Sequence, residues 1–271
     1  MWVEQSWRPP GTLRIATWNV NSLRARMPRV EEWLQYARPD VLCMQETKVS
    51  DAAFPAMAFS ALGYDSAHHG GAGRWNGVAI LSRVGLEAVV AGFDTDSEEA
   101  ESRFIAATCA GVRVCSVYVP NGRSVGSEHY VAKLDWLEEL RLHLEASCDP
   151  KGDVVVCGDF NVAPEDRDVW DPAAFVGATH VSDAERKALR AILEWGLVDT
   201  FREVRGEDRL FTWWDYRAGD FHQHRGMRID LVLATPGLAA RAQWALIDRN
   251  ARKGKLPSDH APLVIDFRTD D

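Results

Sequence analysis

Several apolar segments of the sequence end in polar residues that could bind a divalent metal and a phosphate. Asn19 and Asn21 follow one such segment, Glu46 follows the next, and Asp159 and Asn161 follow a third. The same pattern recurs at Tyr118–Gly122, at Asp230 and at Ser258–His260. If these segments are strands of shared sheets, their ends can meet at one edge. The pattern therefore predicts one polar cleft that is built from distant parts of the chain.

The residue types in this cleft favour phosphate-ester chemistry. Carboxylate and carboxamide oxygens without cysteine suit Mg²⁺ or Mn²⁺. Mg²⁺ completes its coordination shell with water and substrate phosphate, so it can polarise a phosphoryl group and stabilise a leaving oxygen. No Gly-x-Ser-x-Gly motif occurs, and no cysteine has an electropositive setting, so serine and cysteine nucleophiles have no support.

Each cluster also has a structural interpretation when it is considered alone. Asn and Asp commonly end strands and begin turns. Glu46 is the stronger signal, because an apolar strand has little use for a carboxylate that is neither paired nor metal-bound. Asp230 and the Asp259–His260 dipeptide predict either an acid–imidazole pair or a structural histidine.

The elements that must position these residues are strands and helices in mixed order. Apolar runs or alternations predict eight strands, at 13–20, 40–46, 77–82, 103–110, 112–119, 153–160, 229–235 and 262–267. Ala110-Gly111 predicts a hairpin between two of them. Helical periodicity predicts helices over 28–38 and 127–146, and a capping box at Ser182–Glu185 begins a third. This order favours one domain over 1–271, with two mixed sheets packed together and flanked by helices.

Composition sets the broad class of the protein. The chain has 271 residues, of which 46% are hydrophobic, and a formal net charge of −9. Five cysteines without a Cys-x-x-Cys pair, and no signal peptide or long apolar span, predict a cytosolic globular protein. Residues 1–12 are expected to form an N-terminal extension.

The acidic balance argues against a general nucleic-acid coat protein, but basic residues are locally concentrated. They occur around Arg24, between Arg202 and Arg228, and at 249–255. Taken alone, each basic cluster also fits a solvated surface.

In this order, the motifs resemble the bacterial exonuclease III and abasic endonuclease family of the endonuclease/exonuclease/phosphatase superfamily. They span residues 13 to 267 and read WNVNSLRAR (18–26), QET (45–47), NGVAILS (76–82), YVPNG (118–122), GDFNVAPEDRDVWDP (158–172), TWWDYRA (212–218), RGMRIDLVLA (225–234) and PSDHAPL (257–263). The resemblance implies an α/β (α+β) four-layer sandwich with a DNase I-like fold. It also implies Mg²⁺, with Mn²⁺ as a substitute.

The resemblance further implies a role for each matching residue. Glu46 is expected to be the principal metal ligand, assisted by Asn21 and Asp259 and supported by Asn19. Asp159 is expected to orient and deprotonate the attacking water. His260, held in place by Asp230, is expected to contact the scissile phosphate. Three further residues are expected to bind the same phosphate: Asn161, Tyr118 and Asn121.

The substrate implied by the resemblance is double-stranded DNA with an abasic site or a blocked 3′ end. Trp213, Met227 and Ile229 match the pocket that admits a deoxyribose without a base. Arg217 and Arg228, with Arg24, Arg225 and the 249–255 segment, are expected to contact DNA phosphates. The adjacent Trp214 is expected to pack in the core.

The resemblance implies hydrolysis 5′ to the abasic site, with 3′→5′ exonuclease and 3′-phosphatase or phosphodiesterase activity. A monomer in the cytoplasm, near the nucleoid of a bacterium and without a membrane association, is the expected state. Two alternatives remain, an enzyme acting on a phosphoester other than DNA and a nucleic-acid-binding regulator. The regulator would show eroded metal and water-activating residues, whereas this chain keeps all of them.

Overall fold

A computed structural model of the chain describes residue 8 and residues 10–71, 75–95 and 100–269. Most of the N-terminal extension predicted over 1–12, namely residues 1–7 and 9, lies outside the described residues. Within the described residues, no helix is both long and apolar enough to cross a bilayer.

Two six-stranded sheets form the centre of the fold, with strands numbered in chain order. The first sheet has the order β11-β12-β1-β2-β4-β3, and the second has the order β5-β6-β7-β8-β10-β9. The strands of the first sheet are β1 (Thr12–Asn19), β2 (Val41–Gln45), β3 (Asp65–His69), β4 (Val78–Ser82), β11 (Ala242–Ile247) and β12 (Leu263–Arg268). Those of the second are β5 (Glu87–Ala91), β6 (Phe104–Cys109), β7 (Val112–Tyr118), β8 (Val154–Asp159), β9 (Val198–Asp199) and β10 (Asp230–Ala234).

Each sheet contains one parallel pair among antiparallel neighbours. In the first sheet β1 pairs with β2, and Asn19 lies opposite Gln45. In the second sheet β7 pairs with β8, and Tyr118 lies opposite Asp159. Because parallel strands end at the same edge, each pair delivers two polar strand ends side by side.

Helices cover the two outer faces and fill the connections. They are α1 (Leu23–Ala37), α2 (Ala56–Ala61), α3 (Glu128–Ser147), α4 (Asp183–Glu194), α5 (Thr200–Val204), α6 (Asp220–Gln223) and α7 (Pro236–Ala239). Short 3₁₀ turns lie at Asp51–Ala53, Asp166–Asp168, Pro172–Phe175, Arg217–Gly219 and Arg249–Arg252.

Strand alternation divides the core into layers. On β1, Ile15 faces the second sheet, whereas Trp18 packs under α1 with Trp33. On β8, Cys157 lies between the sheets, and Val156 packs under α3 and α4. The result is a helix–sheet–sheet–helix sandwich, which confirms the predicted architecture.

The eight predicted strands and the hairpin at Ala110-Gly111 are confirmed. The prediction missed β3, β5, β9 and β11. Strand β3 (DSAHH) has no apolar run and β9 has only two residues, whereas β5 (EAVVA) is a short apolar stretch that the structure leaves exposed at the sheet edge. Helix α1 begins at Leu23, five residues before the predicted start at Pro28, because the Ser22 side chain accepts the Ala25 amide and caps an earlier turn.

Candidate active site

The inner faces of the two sheets supply the polar residues at one edge of the sandwich. Asn19 lies on the same face of β1 as Ile15, and Asp159 lies on the same face of β8 as Cys157. Asp230 begins β10 directly opposite Asp159 in the antiparallel ladder. The strand ends therefore bring together carboxylates that are far apart in sequence, as the sequence predicted.

Asn19 joins the carboxylates of the two sheets. Its amide nitrogen Nδ2 donates to Glu46 Oε1 at 2.8 Å and to Asp159 Oδ2 at 2.9 Å. Its oxygen Oδ1 accepts the backbone amide of Asn21 at 2.9 Å. Asn19 therefore orients the two carboxylates and turns its oxygen away from them, so it supports the site rather than lying in it as a ligand.

Glu46, Asp159 and His260 bring potential metal-ligand atoms together in the cleft, although His260 can ligate a metal only as the neutral imidazole. One ligand atom from each lies within 4.8 Å of those of the other two. Burial raises the pKa of Asp159 to about 7; His260 opposes this shift, and the carboxylates of Asp230 and Glu46 add to it. A cation bound here would stabilise the ionised forms of Asp159, Asp230 and Glu46.

A lysine ammonium lies on the side of this cluster nearest α1. The Lys48 ammonium lies 2.7 Å from Glu46 Oε2 and 2.7 Å from Asn21 Oδ1. Asn21 in turn donates to Asp259 Oδ1 at 3.0 Å, and Trp213 donates its indole N–H to Asp259 Oδ2 at 3.1 Å. Glu46, Asn21 and Asp259 thus contribute hard oxygen atoms, the donor type that binds divalent cations without sulfur ligands.

His260 and Asp230 form a buried acid–imidazole pair. His260 Nδ1 lies 2.8 Å from Asp230 Oδ2, and its Nε2 lies 3.7 Å from Asp159 Oδ2. Burial lowers the pKa of His260, but the facing carboxylates of Asp230 and Asp159 outweigh it and raise the pKa to about 10. The imidazole is therefore held in orientation by one carboxylate while its other nitrogen faces the metal-binding cluster.

Tyr118, Asn121 and Asn161 form the opposite wall. The Asn161 backbone amide donates to Asp159 Oδ1 at 2.9 Å, and Asn121 Nδ2 donates to Asn161 Oδ1 at 3.3 Å. Arg103 stacks over the Tyr118 ring at 4.5 Å. Burial and the Glu46 carboxylate raise the pKa of Tyr118, so its hydroxyl stays a hydrogen-bond donor at neutral pH.

The predicted sugar pocket is an apolar cluster next to this wall. Met227 and Ile229 pack with Ala163 and Val169, and Trp213 packs against them from the more exposed side. Met227 pairs with Trp213 in an isolated bridge, and Trp213 pairs in the same way with His260. The cluster thus adjoins the polar site. Its role in substrate selection stays a prediction.

The predicted DNA contact at Arg228 is wrong, because this side chain is fully buried. Its guanidinium pairs with Asp168 at 2.8 Å and with Asp199 at 2.7 Å, and so has no face to offer to DNA. Arg217, in contrast, is 87% exposed and pairs with Asp215 at the surface. Its contact with DNA stays a prediction.

The basic 249–255 segment also divides into structural and exposed parts. Arg252 is buried and lies over the rings of Trp214, Tyr216 and Phe221. Trp214 has no exposed surface, which confirms its expected place in the core. Lys253 and Lys255 of this segment are both exposed.

Sequence reasoning missed a buried polar cluster behind Asn121 and Asn161. Its central members are Lys133 on α3, Glu185 on α4 and His180 between them. One signal was available for Lys133. Tyr130, Leu137, Leu140 and Leu144 lie on one face of α3, and position 133 falls on that same face.

Known proteins match nearly the whole length of this chain. The model of the Endonuclease/Exonuclease/phosphatase family matches residues 16–260. A Haemophilus influenzae protein named exodeoxyribonuclease III is 33% identical over an alignment 272 positions long, which covers 94% of this chain and 100% of that protein.

Two solved structures share the fold closely. An AP endonuclease from Archaeoglobus fulgidus has a TM-score of 0.91 and 43% identity, with 94% of this chain and 99% of that one covered. A 3′ phosphatase from Neisseria, bound to a product DNA hairpin, has a TM-score of 0.90 and 37% identity, with the same coverage. The chain therefore belongs to the endonuclease/exonuclease/phosphatase family.

Proposed function

We propose that this protein is a Mg²⁺-dependent DNA repair nuclease. Its main reaction is hydrolysis of the phosphodiester 5′ to an abasic site, which leaves a 3′-hydroxyl. The observation that carries the proposal is the bridge from Asn19 to Glu46 and Asp159, with the His260–Asp230 pair beside it. This arrangement combines a metal-binding carboxylate, a base and a cationic phosphate contact within one cleft.

The metal would be held by Glu46, with Asn21 and Asp259 beside it. When bound, Mg²⁺ supplies a positive charge that polarises the phosphoryl oxygens and stabilises the leaving oxygen. The Lys48 ammonium lies 2.7 Å from Glu46 Oε2 and Asn21 Oδ1, so these oxygens would have to leave it to bind the ion.

Asp159 is the base in the proposed reaction. Its pKa of about 7 suits proton transfer from water at neutral pH. Asn19 fixes Asp159 Oδ2, and the Asn161 amide fixes Oδ1, so the carboxylate keeps one orientation toward the attacking water.

The phosphate lies between His260 and the two carboxamides. His260 offers its Nε2 proton to a phosphoryl oxygen, and Asp230 keeps the imidazolium in place. Asn161 Nδ2 keeps one N–H for the phosphate beside its bond to the Val119 oxygen, and Asn121 Nδ2 would exchange its contact with Asn161 Oδ1 or His180 Nε2 for a phosphoryl oxygen. The Tyr118 hydroxyl lies against Glu46. Donors that are already fixed stabilise the charge of the pentavalent state without reorganising, which is commonly the largest catalytic effect.

A second activity on 3′ ends has independent support. The Neisseria 3′ phosphatase is nearly as similar to this chain as the Archaeoglobus AP endonuclease. Removal of a 3′-phosphate or 3′-blocking group, and 3′→5′ exonuclease action, need the same metal, base and phosphate donors. We therefore propose that one site carries all of these reactions.

The proposed substrate form is double-stranded DNA, bound by a monomer in the cytoplasm near the nucleoid. Glu46, Asp159 and His260 form the site within one chain, so the proposed reaction needs no second copy. Light scattering of the protein with and without duplex DNA measures this state; a dimer that forms only at the active concentration would contradict it.

A cleavage assay on three duplexes tests the proposed function. One duplex carries a tetrahydrofuran abasic analogue, one ends in a 3′-phosphate, and one is undamaged and blunt. Each is incubated with Mg²⁺ or with EDTA, and Asp159→Asn serves as the matched inactive variant.

Metal-dependent incision 5′ to the analogue, lost in Asp159→Asn, is the expected result. Loss of 3′ ends without incision would restrict the function to end processing. No reaction on any duplex would contradict the proposal and favour a phosphoester other than DNA.

A further inference from the structure

Lys133 is a charged residue on the buried face of α3. Its side chain has no exposed surface, although the apolar residues on either side of it in the stripe would pack without a charge. Burying an ammonium is costly unless it is paired and hydrogen-bonded, so the chain must supply specific partners for it.

The partners of Lys133 are the two loops that carry the phosphate-facing carboxamides. Its Nζ donates to the backbone oxygen of Asn161 at 2.7 Å and to that of Asn121 at 3.3 Å. Gly122 follows Asn121 with a φ of +84°, and a Cβ built there would lie 2.9 Å from Lys133 Cδ. The loop after β7 therefore rests directly on the lysine side chain.

Glu185 holds the ammonium in this position. Its Oε1 accepts from Lys133 Nζ at 2.5 Å, from Thr179 Oγ1 at 2.7 Å and from the His180 amide at 2.9 Å. Its Oε2 closes the capping box with Ser182. The Lys133 charge and these donors outweigh burial and lower the pKa of Glu185 to about 2, so the carboxylate stays ionised at neutral pH.

His180 adds a second tie between the same two loops. Its Nδ1 lies 2.6 Å from the Asn161 backbone oxygen, so this nitrogen must carry the proton. Its Nε2 is then an acceptor, 3.4 Å from the Asn121 side-chain amide. Burial and the Lys133 charge lower the pKa of His180 to about 4, which keeps the ring neutral.

Asn121 and Asn161 lie outside the strands, where single hydrogen bonds hold them: Asn161 Nδ2 donates to the Val119 oxygen at 2.9 Å, and Asn121 Oδ1 accepts the Arg123 amide at 3.1 Å. Both lie beyond the last ladder pair of β7 and β8, Tyr118 opposite Asp159. Asn161 has a φ of +50°, in the left-handed region that asparagine adopts more readily than most residues with a Cβ. Asn121 Nδ2 donates to Asn161 Oδ1 at 3.3 Å, so the two side chains lie together on one wall of the cleft.

We propose that Lys133, fixed by Glu185, is a positioning residue that sets the separation of Asn121 and Asn161 so that both carboxamides bind one phosphoryl group. The inference rests on the proposed function, since it assigns the two amides to the phosphate of the DNA substrate. Lys133 itself touches no substrate.

The competing interpretation is that Lys133 and Glu185 only join α3 to α4. A buried ion pair at the other end of the sandwich provides a matched control. Arg14, near the start of β1, pairs with Asp266 at 2.7 Å, and both side chains are almost fully buried. Neutralising this pair should change stability without changing the active site.

The test compares Lys133→Met/Glu185→Gln with Arg14→Met/Asp266→Asn. Each double variant removes both charges, so no unpaired buried charge remains. We measure kcat and KM on the abasic-analogue and 3′-phosphate duplexes at saturating Mg²⁺. The first variant should lose about 10- to 100-fold in kcat with less than about threefold change in KM, and the control should keep its kcat. The single variant Glu185→Gln, which keeps the lysine charge, should show a smaller loss in the same direction if the double variant does not fold.

A second arm asks whether the effect acts through the amides. In an Asn121→Ala/Asn161→Ala background, removing the Lys133–Glu185 pair should change kcat by less than about twofold, because the groups it positions are gone. The same loss in both backgrounds would overturn the inference, as would a folded Lys133→Met/Glu185→Gln variant with the wild-type kcat.

A third arm does not need activity. The side-chain amide ¹H–¹⁵N signals of Asn121 and Asn161, assigned from their Ala variants, should move toward free-amide positions in the Lys133→Met/Glu185→Gln variant and stay unchanged in the control. Unmoved signals would overturn the positioning role. If the wild-type protein cleaves no DNA, the proposed function fails, and this arm still decides whether Lys133 and Glu185 position the two carboxamides.

Discussion

Replacing Asp230 with Asn tests the acid–imidazole pair most directly. The two residues are buried, and His260 Nδ1 lies 2.8 Å from Asp230 Oδ2. Among the described residues nothing bonds to the other carboxylate oxygen, Oδ1. The contact with His260 is therefore the principal side-chain interaction of Asp230. Asn has the same shape and can still accept a hydrogen bond, but it lacks the charge.

The expected loss follows from the value of one charge-assisted hydrogen bond. Such a bond contributes about 1.5–3 kcal/mol. If it strengthens only as the imidazolium meets the developing phosphoryl charge, the whole amount raises the barrier. At about 1.4 kcal/mol per tenfold change in rate, Asp230→Asn should slow the chemical step by roughly 10- to 150-fold.

Single-turnover incision of the abasic-analogue duplex measures this step, because excess enzyme removes product release from the observed rate. Glu138→Gln, which makes the same change of carboxylate to amide on the surface of α3, is the matched control and should keep the wild-type rate. The pKa of His260, followed by NMR, should fall in Asp230→Asn because a facing carboxylate is lost. A folded Asp230→Asn protein that reacts within about threefold of the wild-type rate would refute the reasoning.

Four further predictions concern the metal, the core, acid stability and DNA binding. Glu46→Gln should raise the Mg²⁺ concentration for half-maximal activity by at least about tenfold, in a titration that EDTA reverses, with unchanged circular dichroism. Arg228→Met should lower the free energy of unfolding in urea by about 3–5 kcal/mol because it leaves Asp168 with less compensation, whereas exposed Arg217→Ala should not change it. The lowered pKa of Glu185 stabilises the fold above the ordinary carboxyl range, and this contribution is lost as the pH falls toward about 2; Glu185→Gln should flatten that part of the stability profile, measured by thermal unfolding. For DNA binding, measured by fluorescence anisotropy, log Kd should rise linearly with the logarithm of the salt concentration. A Kd that does not change with salt would contradict phosphate contacts from exposed basic residues.

The sequence could predict Glu46 and Asp159 because their signal is local. Each follows a run of apolar residues, and a carboxylate there breaks the pattern of a buried strand. Most strands of the two sheets could be predicted for the same reason. In β3 the local pattern is weak, and pairing with β4 determines the structure instead.

The partners of Arg228 and Lys133 could not be predicted from local sequence, although the helical spacing places Lys133 on the buried face of α3. A basic residue in RGMRID looks the same whether it faces DNA or a buried carboxylate, and the Asp168 that decides between them is 60 residues away. Lys133 lies in a helix with charged residues on its exposed side, and its partners Asn161 and Glu185 come from later elements. Only tertiary packing distinguishes these alternatives.

The Asn19 bridge has a mechanical consequence. Glu46 follows a strand of one sheet and Asp159 ends a strand of the other, so their spacing depends on how the sheets are aligned. Gln45 donates to Ser116 across the same interface at 3.1 Å, which resists sliding just beneath the cleft. Any ligand gripped by both carboxylates clamps the sheets together, and its binding energy adds to the stability of the whole sandwich. We therefore expect turnover to depend on how the two sheets are aligned. A relative shift of the sheets would separate Glu46 from Asp159 while each strand kept its own hydrogen bonds.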